Sequence, residues 1–596
     1  MNNPPIPPKQ DAPSIGLKQR LQAVFRRHGA AISWGFLLLC LLSIACLTVH
    51  PYLALQNSDG AVFLILSDSL YQGNGYLLTS LPNPEPYFPF TPLFTVQLAG
   101  LMMLFRPESL QGFVITAKSY GWLLWLLVLG CYYRQLKSQL KWQHAFLLTA
   151  ILAVNGTAHQ YLPDVLADTA YLLTSLVCLS WLLKAPYGSQ PSGITYLLLA
   201  MTILTRPIGL TLGVADMILS GFHKNWKRLI LTGLVCALSY GSWITLEHLY
   251  RESHPSHNPA MQKALNQSGL KLEVIKYFST QNTGNDEGTG SEGTSEDANH
   301  EQANLDKSGK HKAEKPWILN CLHRLEQYSR MISQEILKGE GQPGFLKALL
   351  MLTSLGLIVY GGVLVAQKAS PLVVLYPLVY LGLLVTYPYV SGRYILPMAP
   401  FILLFAFVGA NSAISLRDKL DEKQKTLALL FLVLLVFHQQ FDEAARHWIE
   451  EAKIAGQYHL NASPVNASPV NTSPATTDTQ ANLVAFYQWA KTRHESPDFK
   501  QAVIFTRKPE ILYFYTGLKG ERFPFFQTPQ ALHQWLTSMC QHYQSQKQAS
   551  SCFLLDDGIY KESRKLLGPY AEAYQAHQTP VFTAKDSQVK LWQIKR

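Results

Sequence analysis

The chain has 596 residues, 48% of them hydrophobic and 15% charged, with a formal net charge of +11. The apolar residues gather into long uncharged runs instead of one-sided stripes, which excludes an ordinary soluble globular domain. The basic residues gather in short stretches between those runs, so the charge reads as a membrane protein's inside-positive bias and not as a nucleic-acid surface.

Residues 1–30 form a Pro-rich polar arm, expected to be cytoplasmic. The run that follows is too long for a signal peptide and lacks its small-residue cleavage pattern. Spans are expected near 31–52, 112–133, 143–158, 164–183, 194–205, 207–221, 228–249, 345–366, 371–389, 395–411 and 426–441. That makes about eleven, judged against the roughly 20 residues a helix needs to cross a bilayer core. The pair 194–205 and 207–221 is short for two spans and is split by Arg206-Pro207. Broken helices at membrane depth are tolerated only inside protein or against a wet cavity.

Pro92–Phe105 is also too short to span and suits an interfacial or re-entrant helix. Read that way, every basic cluster falls on the cytoplasmic side: Arg26 and Arg27; Arg134, Lys137 and Lys141; Lys224, Lys227 and Arg228; Arg417, Lys419, Lys423 and Lys425. Residues 53–111 and 250–343 then become outer loops, and the chain ends outside a plasma (inner) membrane. Within the second loop, 279–315 is polar and nearly free of apolar residues, so disorder is expected.

The transmembrane domain is placed at 31–441 and a linker at 442–480, the latter carrying an Asn-Ala-Ser-Pro-Val repeat. Residues 481–596 read as a small extracytoplasmic α/β domain. Leu483–Trp489 looks helical there, while Ala502–Thr506, Ile511–Tyr515, Cys552–Leu555 and Val589–Ile594 look like strands. The predicted fold class is thus an all-α polytopic membrane bundle with a C-terminal α/β domain. Of the eight cysteines, five lie in spans as packing, and Cys540 and Cys552 can pair if the compartment is oxidising.

Ionisable groups in or beside spans are costly and point to function. Asp59, Asp164 with Asp168 one turn on, Arg206 and Arg393 all fall near the outer face. Each has a plainer reading: Asp164 as a helix cap, Asp168 as a satisfied polar residue, Arg393 as an interfacial snorkel, Asp59 as a turn residue before Gly60. Together they offer acids to take a proton from an acceptor and arginines to hold a phosphate.

Asp59, then Leu70-Tyr71-Gln72-Gly73-Asn74-Gly75-Tyr76, then Phe90-Thr91-Pro92-Leu93-Phe94 resembles the first outer loop of the glycosyltransferase C superfamily. That superfamily includes protein O-mannosyltransferases and lipid A aminoarabinose transferases. Tyr161 to Asp164, Leu204 to Gly209, Arg393-Tyr394-Ile395-Leu396-Pro397 and the tail segment Lys508 to Gly517 are further echoes. The resemblance implies an inverting transfer from a polyprenyl-phosphate sugar to a glycan, lipid or protein acceptor at the bilayer's outer face. It makes Asp59 the base and Asp164 a second acid. Arg393 would hold the leaving lipid phosphate, with Tyr394, Arg206 and Glu85 completing the phosphate or sugar site.

Three departures leave the subfamily, sugar and acceptor open. Gly60 stands where O-mannosyltransferases carry a second acid. Glu85-Pro86-Tyr87-Phe88 has no lysine where aminoarabinose transferases carry one, and the oligosaccharyltransferase Trp-Trp-Asp-Tyr-Gly signature is missing. No cofactor is expected. A divalent metal is the alternative source of positive charge, although no ligand-spaced His/Cys/Asp cluster shows one. The rival function is a transporter or lipid flippase, which also uses intramembrane charges and broken helices. Repeated halves are not evident, and the large outer loops favour an enzyme.

Overall fold

The computed structural model describes residues 17–51, 53, 58–186, 189–253, 317–334, 344–387, 390–416, 421–461, 479–523, 529–546, 549–556, 561–574, 580–583 and 589–594. The segment 279–315 and most of the Asn-Ala-Ser-Pro-Val repeat lie outside the described residues.

Among the described residues, fifteen helices, α1 to α15, build the membrane part. They are Leu17–Thr48, Ser58–Tyr71, Pro92–Phe105, Leu110–Lys137, Trp142–Ala153, Gly156–Tyr161, Asp168–Lys184, Gly193–Thr205, Leu210–Phe222, Trp226–Ser253, Trp317–Gln334, Gly344–Lys368, Pro371–Thr386, Ala399–Ser415 and Glu422–Asn461. Among the described residues, six segments are long and apolar enough to cross a membrane, in α1, α4, α10, α12, α14 and α15. A seventh counts if Gly156–Asp164 and Asp168–Lys184, bent by 118°, form one broken span. The other four expected spans fall on the shorter apolar helices α5, α8, α9 and α13. Phe36, Leu39, Leu104, Phe222, Phe345 and Phe431 point outward, an apolar exterior that water does not tolerate and a bilayer does.

Local chemistry sets the helix ends. Ser109 caps α4 by accepting from the Gly112 N–H at 3.1 Å, and Pro92 opens α3. Helices α12 and α14 cross at glycines: a Cβ on Gly361 would lie 1.8 Å from the Phe405 carbonyl oxygen, and one on Gly409 2.2 Å from that of Leu357. Small residues let helix backbones meet where apolar burial gives no driving force. Helix α15 runs on past the boundary expected at 441. Gln440 explains part of this, because its side-chain oxygen accepts from Asn155 Nδ2 at 2.9 Å and from the Gly156 N–H at 3.0 Å.

The loop between α2 and α3 is tightly built. Gly73 and Gly75 take positive φ (77° and 87°) and lead into an antiparallel pair, β1 (Leu77–Leu78) and β2 (Glu85–Pro86). The Tyr76 hydroxyl donates to the Phe90 carbonyl at 3.0 Å and lies 3.2 Å from Thr95 Oγ1. The Gly-Tyr element and the Pro92 helix start, distant in sequence, are therefore bonded to each other.

The tail holds a five-stranded sheet of β3 (Ala502–Thr506), β4 (Gly520–Arg522), β5 (Ser551–Asp556), β6 (Phe582–Thr583) and β7 (Lys590–Gln593), in the order β4-β3-β5-β7-β6. Strand β3 runs parallel to β4 and β5, and the remaining pairs are antiparallel. Helices α16 (Thr479–Arg493), α17 (Pro497–Lys500), α18 (Pro509–Thr516), α19 (Pro529–Ser545) and α20 (Lys561–Tyr574) accompany it. Cys540 of α19 and Cys552 of β5 form a disulfide.

Ile511–Tyr515, read from the sequence as a strand, is instead the body of α18. A short apolar run buried on both sides has no telling period. Its flanks decide: Pro509 in the first turn, Glu510 at the positive helix end, and Gly517 at φ 73° closing the far end.

The tail domain docks on the segment just before α2 and the loop between α2 and α3. Tyr515 Oη donates to the Leu53 carbonyl at 2.7 Å and accepts from the Leu53 N–H at 2.9 Å. The Gly520 N–H donates to the Ser80 carbonyl at 3.1 Å, and Lys491 reaches Gln111 at the start of α4 at 3.3 Å. Arg134 and Lys137 lie in the last turn of α4, about 40 Å away along the helix axis at the usual rise. The docked domain and that basic cluster thus sit at opposite ends of one span.

Candidate active site

The break between α6 and α7 lies beside the site. A short helical turn, Leu162–Asp164, ends at Val165, whose φ of 55° and ψ of 53° lie in the left-handed region. A β-branched residue resists that conformation, at about 1–3 kcal/mol, so the surrounding packing must enforce it. The turn presents the Asp164 backbone to α2: a Cβ on Gly60 would lie 2.1 Å from the Asp164 carbonyl oxygen. Asp59, in the first turn of α2, is thereby seated beside the break. Three residues after Val165, Asp168 begins α7.

Three of the expected residues, Asp59, Arg206 and Arg393, meet here in two ion pairs that share the ring of a fourth, Tyr394. Arg393 Nη1 donates to Asp59 Oδ2 at 2.6 Å. Arg206, between α8 and α9, pairs with Asp168. The two guanidinium carbons lie 5.2 Å (Arg393) and 5.6 Å (Arg206) from the centre of the Tyr394 ring. Tyr394 is fixed in turn by Tyr380, whose hydroxyl donates to its carbonyl at 2.9 Å, and by an edge-on Tyr387 ring 5.7 Å away. Aromatic faces attract cations, most strongly where water is scarce.

Burial alone pushes the Asp59 carboxyl up, but the Arg393 guanidinium, with Lys508 and Arg206 farther off, outweighs it and holds the group below the usual carboxylate range. Asp59 is ionised at neutral pH, and its side chain keeps 29% of its surface exposed. Asp164 is buried. Glu85 lies elsewhere in the loop, in β2 opposite Leu78, and its charge acts on Tyr250 and on Tyr543 of the tail domain.

Two groups of residues escaped the sequence. The tail domain brings Lys508, just before α18, to act on Asp59, and Glu510, which accepts from Arg522 Nη2 at 2.7 Å. Tyr87 of the outer loop feels Arg522, Glu510 and Asp59 together. Lys508 and Glu510 stand in the tail run that resembles bacterial relatives, so a signal existed for their relevance but not for their place. The second group is His50, Lys118 and Glu451. His50 Nε2 lies 2.7 Å from Glu451 Oε2, and Lys118 Nζ lies 3.8 Å from that oxygen and 3.4 Å from His50 Nδ1. Its charge also interacts with Asp164. Residues 401 positions apart leave no local pattern to read.

Among the described residues, no three or more His, Cys, Asp or Glu side chains come together as a metal site. The positive charge beside Asp59 comes from Arg393, Arg206 and Lys508. Such a group can bind a phosphate, bear the charge that develops as it leaves, and keep a carboxylate close by to accept a proton.

No protein-family model matches the chain, and no curated protein matches its sequence. Its structure is similar to that of ArnT from Cupriavidus metallidurans in the apo state, at 9% identity, covering 95% of this chain and 98% of that one, with a TM-score of 0.50. It is also similar to the Archaeoglobus fulgidus oligosaccharyltransferase. The apo form shares 11% identity over 92% of this chain and 73% of that one, with a TM-score of 0.52. The form tethered to an acceptor peptide containing the NVT sequon shares 11% over 93% and 72%, with a TM-score of 0.50. At these identities the likeness is one of fold: over most of its length the chain folds as these two solved proteins do.

Proposed function

We propose that the protein is an inverting glycosyltransferase that takes a sugar from a polyprenyl-phosphate donor at the outer face of the plasma (inner) membrane. The observation that carries this reading is the Arg393–Asp59 pair, a phosphate ligand and a proton acceptor in direct contact beside a second arginine. Asp59 takes the proton of an acceptor hydroxyl or amine as that group attacks the anomeric carbon. The carbon–oxygen bond to phosphate breaks on the opposite side, and the lipid phosphate leaves with the electron pair. Arg393 and Arg206 bear the charge that collects on it. Asp164 serves as the second acid, and Tyr394 keeps the two arginines apart and oriented. Glu85, in the loop wall toward the tail domain, takes a sugar or acceptor hydroxyl.

The acceptor is a glycan, lipid or protein exposed outside, and the donor's tail lies in the bilayer. The N-terminus is cytoplasmic and the tail domain extracytoplasmic. The bilayer supplies the lipid donor, and no nucleic acid enters the scheme. The test is transfer from a defined polyprenyl-phosphate sugar by the purified protein, with mass analysis of glycans and lipids from cells lacking it to find the acceptor. A protein that moves the intact lipid-linked sugar across vesicles without cleaving it is a flippase, and the proposal fails.

A further inference from the structure

The α18 helix is pinned to the membrane domain by the paired Tyr515–Leu53 hydrogen bonds. Its apolar face (Ile511, Leu512, Phe514) packs in one core with Leu53, Ala61, Phe63 and Leu64. That docking brings the polar start of α18 toward α2 and the loop after it: the charge of Lys508 acts on Asp59, and that of Glu510 on Tyr87. Glu510 is 1% exposed. One carboxylate oxygen is used by Arg522, while the other, Oε2, has no hydrogen-bond partner among the described residues. A buried carboxylate oxygen is costly to leave without a donor, and the described residues supply none. A sugar hydroxyl or amine is such a donor.

Arg393 and Arg206 are each already held by a carboxylate. A phosphate that binds them must compete with Asp59 or Asp168. A further cation from outside the membrane domain lowers the cost of that exchange.

We propose that the tail domain completes the substrate site: Lys508 binds the donor's phosphate together with Arg393, and Glu510, braced by Arg522, receives a hydroxyl or amine of the donor sugar. The inference rests on the transferase reading and adds residues to it. Docking of the tail is then a requirement for donor binding, not only for stability.

The experiment measures binding of undecaprenyl phosphate, with undecaprenol as the uncharged control, to the full chain in lipid nanodiscs. Wild type, Lys508→Gln, Lys508→Arg and Arg393→Lys are compared. Loss of one charge-assisted contact should weaken phosphate binding by about ten-fold in Lys508→Gln, and Lys508→Arg should restore most of it. Glu510→Gln should leave binding of the sugar-free lipid unchanged and raise KM for the glycosylated donor. Wild-type binding by Lys508→Gln, while Arg393→Lys is weakened, overturns this inference and leaves the transferase reading intact. Equal loss in Lys508→Gln and Lys508→Arg marks Lys508 as structural and also overturns it. If wild type binds phosphate and alcohol alike, both proposals fall.

Discussion

Arg393 reaches across 334 positions of sequence to donate from Nη1 to Oδ2 of Asp59 at 2.6 Å. The contact ties together the two roles assigned to the site. A carboxylate held by a guanidinium is a weak base, and a guanidinium held by a carboxylate is a phosphate ligand already in use. When a lipid phosphate takes Arg393, Asp59 loses its partner and its affinity for a proton rises. Under the proposed function, donor binding would thus prepare the base, and an acceptor meeting an empty site would find a poorer one.

Asp59→Asn is expected to separate these roles. It removes the base, so turnover should fall roughly 10²–10⁴-fold, the usual contribution of general base catalysis. It also frees Arg393 from its competing carboxylate, so lipid phosphate should bind as tightly as in wild type or several-fold tighter. Transfer and donor binding measured at equal folded concentration check both. An active Asp59→Asn protein moves the base to Asp164.

Arg393→Lys keeps a charge but loses the fork that can hold Asp59 or a phosphate at two points. Donor binding is expected to weaken by about 1.5–3 kcal/mol, the range for hydrogen bonds to charged groups. Arg393 as an interfacial snorkel gives the opposite result, an unchanged affinity, because lysine snorkels equally well.

The sequence made the site's charges legible one by one, because Asp59, Asp164, Arg206 and Arg393 each break an apolar context. It did not show which acid meets which arginine. Asp168, read as a satisfied polar residue, does have a partner, but that partner is Arg206 of the site itself. Span positions were visible in apolar runs, and α5, α8, α9 and α13 show where run length alone is a poor guide. Tail contacts were unreadable for a physical reason: Lys508 acts on Asp59 from a domain that docks through contacts such as that of Tyr515 with Leu53, 462 positions away.

Acid should reveal the same pair through stability. The Asp59 carboxyl is depressed in the fold relative to the unfolded chain. A depressed carboxyl stabilises the fold above its unfolded pKa, and the contribution disappears as pH falls through the folded value. The loss therefore belongs below about pH 4, and nothing from this group changes on the alkaline side. Thermal unfolding between neutral pH and that range should fall more steeply for wild type than for Asp59→Asn. Parallel curves would show that the pair contributes nothing to the fold.

The last prediction concerns Gly60, which touches no substrate in the proposed scheme. Glycine inside a helix costs up to about 1 kcal/mol relative to alanine, so its presence in the first turns of α2 calls for a steric reason. A Cβ there would stand 2.1 Å from the Asp164 carbonyl oxygen and 3.2 Å from its carbon. Both are backbone atoms, so no side-chain rotation relieves the clash and α2 itself must move back. Asp59 is the preceding residue and moves with it, away from Arg393. Gly60→Ala should therefore lower stability by about 1–3 kcal/mol, as overpacking does, and lower turnover by roughly 10²-fold, as a misplacement near 1 Å does. Lipid phosphate should still bind, since Arg206 and Arg393 sit on other elements. Gly100→Ala in α3 is the control, because a Cβ there meets nothing within 4 Å. Thermal unfolding, donor binding and transfer measured on both variants decide the matter: full activity in Gly60→Ala would mean that the seat of α2 on Asp164 does not position the base.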